Sequence, residues 1–389
     1  GNEAGAVAVM EKELQKLGFS TALIPLENSS LKTHAGFAPV PWSLEGRNNV
    51  VGTLEPEGTG GRSALFNGHL DVVPVGNAGF WNREPFAPVV EGDWLYGRGA
   101  GDMKSGVAAM TYAVHAIRQA GFGLCAPMTV EGVIEEECSG NGAIACLAAG
   151  HDADAVLIPE PFGPTILTDQ VGVLWFKIRL CGRPDHVLQA PSGINAIEKC
   201  YLLIRALREL ETQLNETKIP SAYADLVHPL NLNVGIVKGG EWPSTVPEEA
   251  EFHARLSYFP GTDFAEVCRR IETNIAQTAA TDDWLRENPP TISFYGFRSD
   301  GHNISRDLPA LGVLDACHRS LTGETAASYI SKCTTDLRAF HWFGSGQATC
   351  YGPEAENIHG IDERVSIKSI MHTARAYALF LARWCLLCE

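Results

Sequence analysis

The chain has 389 residues, is 45% hydrophobic and carries a formal charge of −16. That length and apolar content support a large core and more than one domain. The acidic balance, without any basic cluster, argues against nucleic acid and anionic surfaces as partners.

The first residues, "GNEAGAVAVMEKELQKLGF", already read as an amphipathic helix, with no signal-peptide pattern. "SALFNGH" reads as a strand. "KSGVAAMTYAVHAIRQAG" places Val107, Met110, Val114 and Ile117 at helical spacing, with Gly121 to stop the helix. "MTVEGVIEE" is a strand, "NGAIACLAAG" a short helix and "DAVLIPE" another strand. This alternation predicts an α/β domain with a mainly parallel sheet and helices on both faces. Ligands then belong beyond the carboxyl ends of the strands, where His69, Glu136, Glu137 and Glu160 fall.

The pattern changes near Gly172. A long strand, "VGVLWFKIRLCG", leads into a long helix, "GINAIEKCYLLIRALRELETQL". Two strands ("NLNVGIVKGG", "EAEFHARLSYFPG"), a helix ("DFAEVCRRIETNIAQTA") and a strand ("PTISFYGF") follow. The β-α-β-β-α-β order predicts an α+β two-layer sandwich. Strand–helix patterning resumes after it, so the sandwich reads as an insertion. The expected division is residues 1–172 with 292–389 for one domain and 173–291 for the other. The chain closes in a helix, "VSIKSIMHTARAYALFLARW".

Eleven cysteines are scattered without a disulfide-framework spacing, which suits a reducing, cytoplasmic compartment. Cys385 and Cys388, the one tight pair, lie in an apolar pattern and read as core rather than a redox or zinc pair. No apolar run reaches the length of a membrane span.

Each polar candidate is weak alone. His69 and Asp71 in "GHLDVVP" could simply cap a strand. "GRGAGDMKSG" fails the P-loop pattern because Met103 precedes Lys104; its glycines serve better to turn the backbone and bring Asp102 inward. "EEE" at 135–137 would usually be a solvated run, but here it ends an apolar strand, where carboxylates need a cation. His359, in a polar loop, reads by default as a surface residue.

As a set they differ. His69, Asp102, Glu137, Glu160 and His359 supply two imidazoles and three carboxylates, the donors that zinc takes. Paired metals need a bridging carboxylate, and a shared Asp102 leaves one histidine and one carboxylate for each ion. Asp71 is then free to hold the outer nitrogen of His69. Glu136 remains as a base for the attacking water. The ligand set also suits cobalt or manganese.

"GHLDVVP", "LYGRGAGDMKSG", "EEE" with Gly142 behind it, "PEP", "GINAI", "TTDLR" and "IHGIDERV" occur in one order along the chain. In this the sequence resembles the aminoacylase, acetylornithine deacetylase, succinyl-diaminopimelate desuccinylase and glutamate carboxypeptidase family of di-zinc metallopeptidases. The resemblance spans essentially the whole chain. It implies two zinc ions per subunit, one on His69 and Glu160 and the other on Glu137 and His359. Asp102 would bridge them and Glu136 would be the general base. It also implies a homodimer through the inserted lid, with His186 of "CGRPDHVLQAPSGINAI" reaching the neighbouring subunit's site to steady an oxyanion. The alternative for His186 is a satisfied lid histidine. Arg255 matches an arginine that holds a substrate carboxylate; an inter-strand ion pair is the other reading. The lid departs from the family at His253, where Asp is usual, and at Ser244, where Asn is usual.

These features predict a metal-dependent hydrolase of the C–N bond in an N-acylated amino acid or related small amide. The rivals are a carboxypeptidase or dipeptidase, a hydrolytic deaminase or decarbamoylase whose substrate stacks on Trp242 and Tyr295, and a non-catalytic dimeric binding protein.

Overall fold

The computed structural model describes residues 2–389. Helix α1 (Ala4–Lys16) buries Val7, Met10 and Leu14, one face of a 3.6-residue period. Strands β1 (Ser20–Pro25), β2 (Asn48–Leu54) and β3 (Ala64–His69) follow. Helix α2 (Ser105–Gln119) buries the expected Val107, Met110, Val114 and Ile117. Then come β4 (Met128–Val133), α3 (Asn141–Ala148) and β5 (Ala155–Ile158).

The insertion consists of β6 (Gly172–Cys181), α4 (Ala196–Glu216), β7 (Leu232–Gly239), β8 (Glu249–Tyr258), α5 (Phe264–Ala280) and β9 (Thr291–Ser299). The chain returns through α6 (Pro309–Thr322), α7 (Leu337–Phe343), β10 (Gln347–Cys350) and α8 (Ile367–Trp384).

The six-stranded sheet has the order β1-β2-β4-β3-β5-β10. Its core is parallel, β4 with β3, β3 with β5 and β5 with β10. The β1–β2 and β2–β4 pairings are antiparallel. Every residue of β3 and β5 is buried, as strands covered on both faces must be. Helices α2, α8 and α6 pack together, as do α3 and α7.

The second sheet, β7-β8-β6-β9, is antiparallel throughout. Alternation along β8 sends Ala250, Phe252, Ala254 and Leu256 into the core beside α4 and α5. Glu251, His253 and Arg255 take the other face. The apolar core divides the same way: one cluster draws on residues 7–167 and 304–385, the other on 171–297.

All eleven cysteines are free thiols. Cys385 is fully buried, as expected of a core residue. Cys388 is half-buried on a short strand and its thiol meets Cys125 rather than Cys385. Among the described residues no helix is long and apolar enough to cross a membrane.

Parallel strands bring their carboxyl ends to one edge of the sheet. Because β3 lies between β4 and β5, His69 ends the middle strand, the 135–137 glutamates follow one neighbour and Glu160 follows the other. The turn after β4 is closed by α3, where Gly142 allows a tight approach. A Cβ there would sit 2.0 Å from the Ile134 carbonyl oxygen. Gly142→Ala therefore requires the main chain beside the glutamates to shift. It is expected to lower stability by about 1–3 kcal/mol in a urea melt, an overpacking cost.

Candidate active site

Asp102 is the centre of the site. Its Oδ1 lies 2.9 Å from His69 Nε2 and its Oδ2 lies 3.2 Å from His359 Nε2. One carboxylate thus faces both imidazoles, one oxygen to each. The turn that delivers it needs glycine: Gly99 has φ +77°, in the left-handed region. His359 comes from the loop before α8 and itself has φ +61°, an uncommon conformation for a side-chain-bearing residue and one that gathers at functional sites. Its Nε2 is 3.0 Å from Glu137 Oε2. Donor atoms of His69, Asp102 and Glu160 lie within 4.8 Å of one another, as do those of Asp102, Glu137 and His359. The structure thus brings together the residues that the resemblance assigns to two metal ions.

The donors fit a cation. Glu160 is 3% exposed and its Oε1 has no hydrogen-bond partner. Burial, reinforced by Asp102, pushes the Glu160 carboxyl well above its ordinary range. Burial does the same to Glu136, against the pull of His69 and with help from Glu160. Burial also works against charge on His69 and Asp102. The hydrogen bond to Asp102 overrides it on His69, raising the imidazole, and hydrogen bonds with His359 and then His69 override it on Asp102, lowering the carboxyl. Hydrogen bonds to Asp102 and Glu137 push His359 up to about 10. Crowding of buried carboxylates is what a bound cation relieves.

Glu136 is 7% exposed, with Oε2 4.0 Å from His69 Nε2, and lines the same cavity as Glu137 and His359. Asp71 differs from expectation. The outer nitrogen of His69 meets the Asp71 main-chain carbonyl at 3.0 Å, while the carboxylate is 3.7 Å away. The carbonyl takes the ring, and the carboxylate instead accepts from the Glu137 amide at 3.2 Å. Asp71 thereby steadies both a histidine and a glutamate of the cluster.

The cavity has a volume of about 1070 Å³. Arg255 lines it with Trp175, its cross-strand neighbour. Its Nη2 donates to the Lys332 carbonyl at 3.3 Å. Among the described residues no carboxylate forms an ion pair with it, so the inter-strand ion pair does not form. His186 is not brought to this cavity. It is exposed at the start of a 3-10 turn, where its Nδ1 accepts from the Leu188 amide. His253 bonds Tyr295 and Glu251 on the lid sheet. Tyr295 is thereby engaged, and Trp242 is 70% exposed at a lid turn. Neither lines the cavity. Trp42, Phe86, Trp175 and Phe297 do.

Two further groups were not picked out from the sequence. Glu135, 1% exposed with φ +72°, accepts from Trp42 Nε1 at 3.0 Å and from Ser139 Oγ at 2.7 Å, and pairs with Arg47. It anchors the loop that carries Glu136 and Glu137. Glu363 and Arg98 form a second buried pair at 2.6 Å. Glu135 was visible as part of the "EEE" run; nothing in the sequence marked Arg47 as its partner.

Comparison with known proteins places these residues in context. Residues 65–383 match the model of peptidase family M20/M25/M40. The chain is 29% identical over 375 residues to the N-formyl-4-amino-5-aminomethyl-2-methylpyrimidine deformylase of Bacillus subtilis, covering 90% of this chain and 86% of the relative. It is 27% identical over 397 residues to the succinyl-diaminopimelate desuccinylase of Maricaulis maris, covering 97% and 90%. Among solved structures it resembles a Bacillus subtilis protein described as a dinuclear metal binding peptidase, with a TM-score of 0.63, 15% identity and 98% and 92% coverage. The chain therefore belongs to peptidase family M20/M25/M40 and is a metal-dependent hydrolase of amide bonds.

Proposed function

We propose that the protein is a deacylase that removes a small acyl group from the amine of an N-acylated amino acid or related small amide. The observation that carries this reading is the Asp102 carboxylate set between His69 and His359, with Glu136 4.0 Å from His69 and lining a large cavity. The two curated relatives named above bear deformylase and desuccinylase names, both removals of an acyl group from a small amine. An arginine without a carboxylate partner in the cavity also favours a second reading, a dipeptidase or carboxypeptidase, whose substrate presents a free carboxylate.

His69 and Glu160 would hold one zinc ion, Glu137 and His359 another, and Asp102 would bridge. Bound there, the ions would polarise the amide carbonyl and acidify water. The chain's own residues do the rest. Glu136 takes a proton from the attacking water on its carboxylate and passes it to the leaving nitrogen. Asp71 keeps His69 and the Glu137 amide in register. Arg255 holds an electronegative group of the substrate, and the aromatic wall excludes water.

We further assign the insertion, expected at residues 173–291 and carried on to Ser299 because β9 pairs with β6 in the second sheet, to a lid and dimerisation unit and the remainder to the catalytic unit. The lid's β7 edge is unpaired and exposes Ile236 (43%) and Val237 (54%), a template for a second copy. In such a homodimer His186 of one subunit would serve the other's site as an oxyanion donor. The free thiols suit a cytoplasmic setting.

Three outcomes are expected. Glu136→Ala should retain zinc yet lose about 10²- to 10⁴-fold in kcat on N-formyl and N-acyl amines, the usual weight of a general base; retained turnover would remove Glu136 from that role. Mixing inactive Glu136→Ala with inactive His186→Ala subunits should restore about a quarter of wild-type activity, because half of the mixed dimers' sites carry neither change in a symmetric pair. No recovery would place His186 outside the neighbouring site. Finally, His359 stays protonated up to about 10, so a metal must displace its proton. Zinc affinity should therefore rise with pH, by about tenfold per unit for each proton released. Calorimetry in buffers of different ionisation enthalpy measures that release, and pH-independent affinity would contradict it.

A further inference from the structure

We propose that Glu363 is a positioning residue that fixes the Asp102 turn against the His359 loop and thereby sets the metal affinity of the site. The proposal rests on the metal reading given above. Glu363 is fully buried. Its Oε1 accepts from the main-chain amides of Gly101 at 2.9 Å and Asp102 at 3.0 Å. Its Oε2 accepts from the Gly99 amide at 3.2 Å and from Arg98 Nη1 at 2.6 Å. The Glu363 main-chain carbonyl also accepts from the Gly97 amide at 2.9 Å. One side chain thus holds three amides of the turn that ends in Asp102.

The attachment is reciprocal. Arg98, four residues before Asp102, sends its Nη2 to the carbonyl of Gly360 at 3.0 Å, the residue next to His359. Glu363, four residues after His359, holds the Asp102 amide. Each ligand's own segment therefore supplies the side chain that grips the other ligand's turn. The guanidinium lies 5.1 Å from the centre of the Trp81 ring, which limits its freedom to swing away. Gly101 keeps the turn close: a Cβ there would sit 3.3 Å from Glu363 Oε1 and 2.8 Å from the Ala355 side chain.

A buried ion pair alone is weak evidence of a stabilising role. Here the pair ends on main chain at both ligand turns, which a pair serving the core alone does not require. The 3.2 Å separation of His359 Nε2 and Asp102 Oδ2 is the distance the clasp holds. Residues that orient metal ligands from behind typically account for about 10- to 100-fold in metal affinity.

The test compares wild type, Glu363→Gln and Arg98→Lys after metal stripping. Zinc binding is followed by competition with a chromophoric chelator, and amide hydrogen exchange across residues 99–102 by mass spectrometry. Glu363→Gln keeps the shape but turns a donor toward Arg98 and the Gly99 amide. Arg98→Lys keeps the charge but loses the arm to Gly360. Both should weaken zinc binding by about 10- to 100-fold. Exchange across 99–102 should quicken, and kcat should fall with KM little changed. If Glu363→Gln does not fold, Arg98→Lys decides. Wild-type zinc affinity in a folded variant, with only a lower Tm, would overturn the proposal. Wild-type protein that binds no zinc would overturn the underlying metal reading, and this assignment with it.

Discussion

A single carboxylate between two histidines is the constraint on which the rest of the site depends. Asp102 gives one oxygen to His69 and the other to His359, and Glu137 and Glu160 crowd in beside it. Gathering so many carboxylates at the end of a buried sheet is unfavourable unless positive charge accompanies them. Burial raises the Glu136 and Glu160 carboxyls, and hydrogen bonds to Asp102 and Glu137 raise His359, the direction expected of groups short of positive charge. The sheet order makes the gathering possible, because three adjacent parallel strands deliver His69, the glutamates and Glu160 to one edge.

Outside that cluster the molecule holds it in place. Asp71 grips His69 through its carbonyl and the Glu137 amide through its carboxylate. Glu135 fastens the glutamate loop to Arg47 and Trp42. The lid sheet turns its outer face, with Trp175 and Arg255, toward the cavity, while its inner face packs on its own helices. The charged cluster and the cavity-facing Arg255 and Trp175 therefore come from elements with separate cores. His253, on the same face of the lid sheet, is bonded to Tyr295 and Glu251 away from the cavity.

Much of this was legible in the sequence. Hydrophobic periods located the helices and strands because each buries one well-defined face; α2 and β8 are clear cases. The ligand candidates were legible because polar residues stood where apolar strands ended. Contacts set by tertiary approach were not. Arg98 and Glu363 are 265 residues apart, and no local pattern pairs them. The choice of the Asp71 carbonyl over its carboxylate depends on how the chain turns after β3. His186 lies away from its own chain's cavity, and only a second copy can give it the role that resemblance implies. Trp242 and Tyr295 looked suitable for stacking by residue type, yet the cavity is walled by Trp42, Phe86, Trp175 and Phe297.

The most direct measurement is anomalous diffraction at the zinc edge from crystals of the zinc-loaded protein. Two peaks about 3.5–4 Å apart, one on each side of the Asp102 carboxylate, are predicted for a carboxylate-bridged pair. The first should touch His69 and Glu160, and the second Glu137 and His359. A lone peak away from Asp102, or no peak in protein that still hydrolyses amides, would contradict the account.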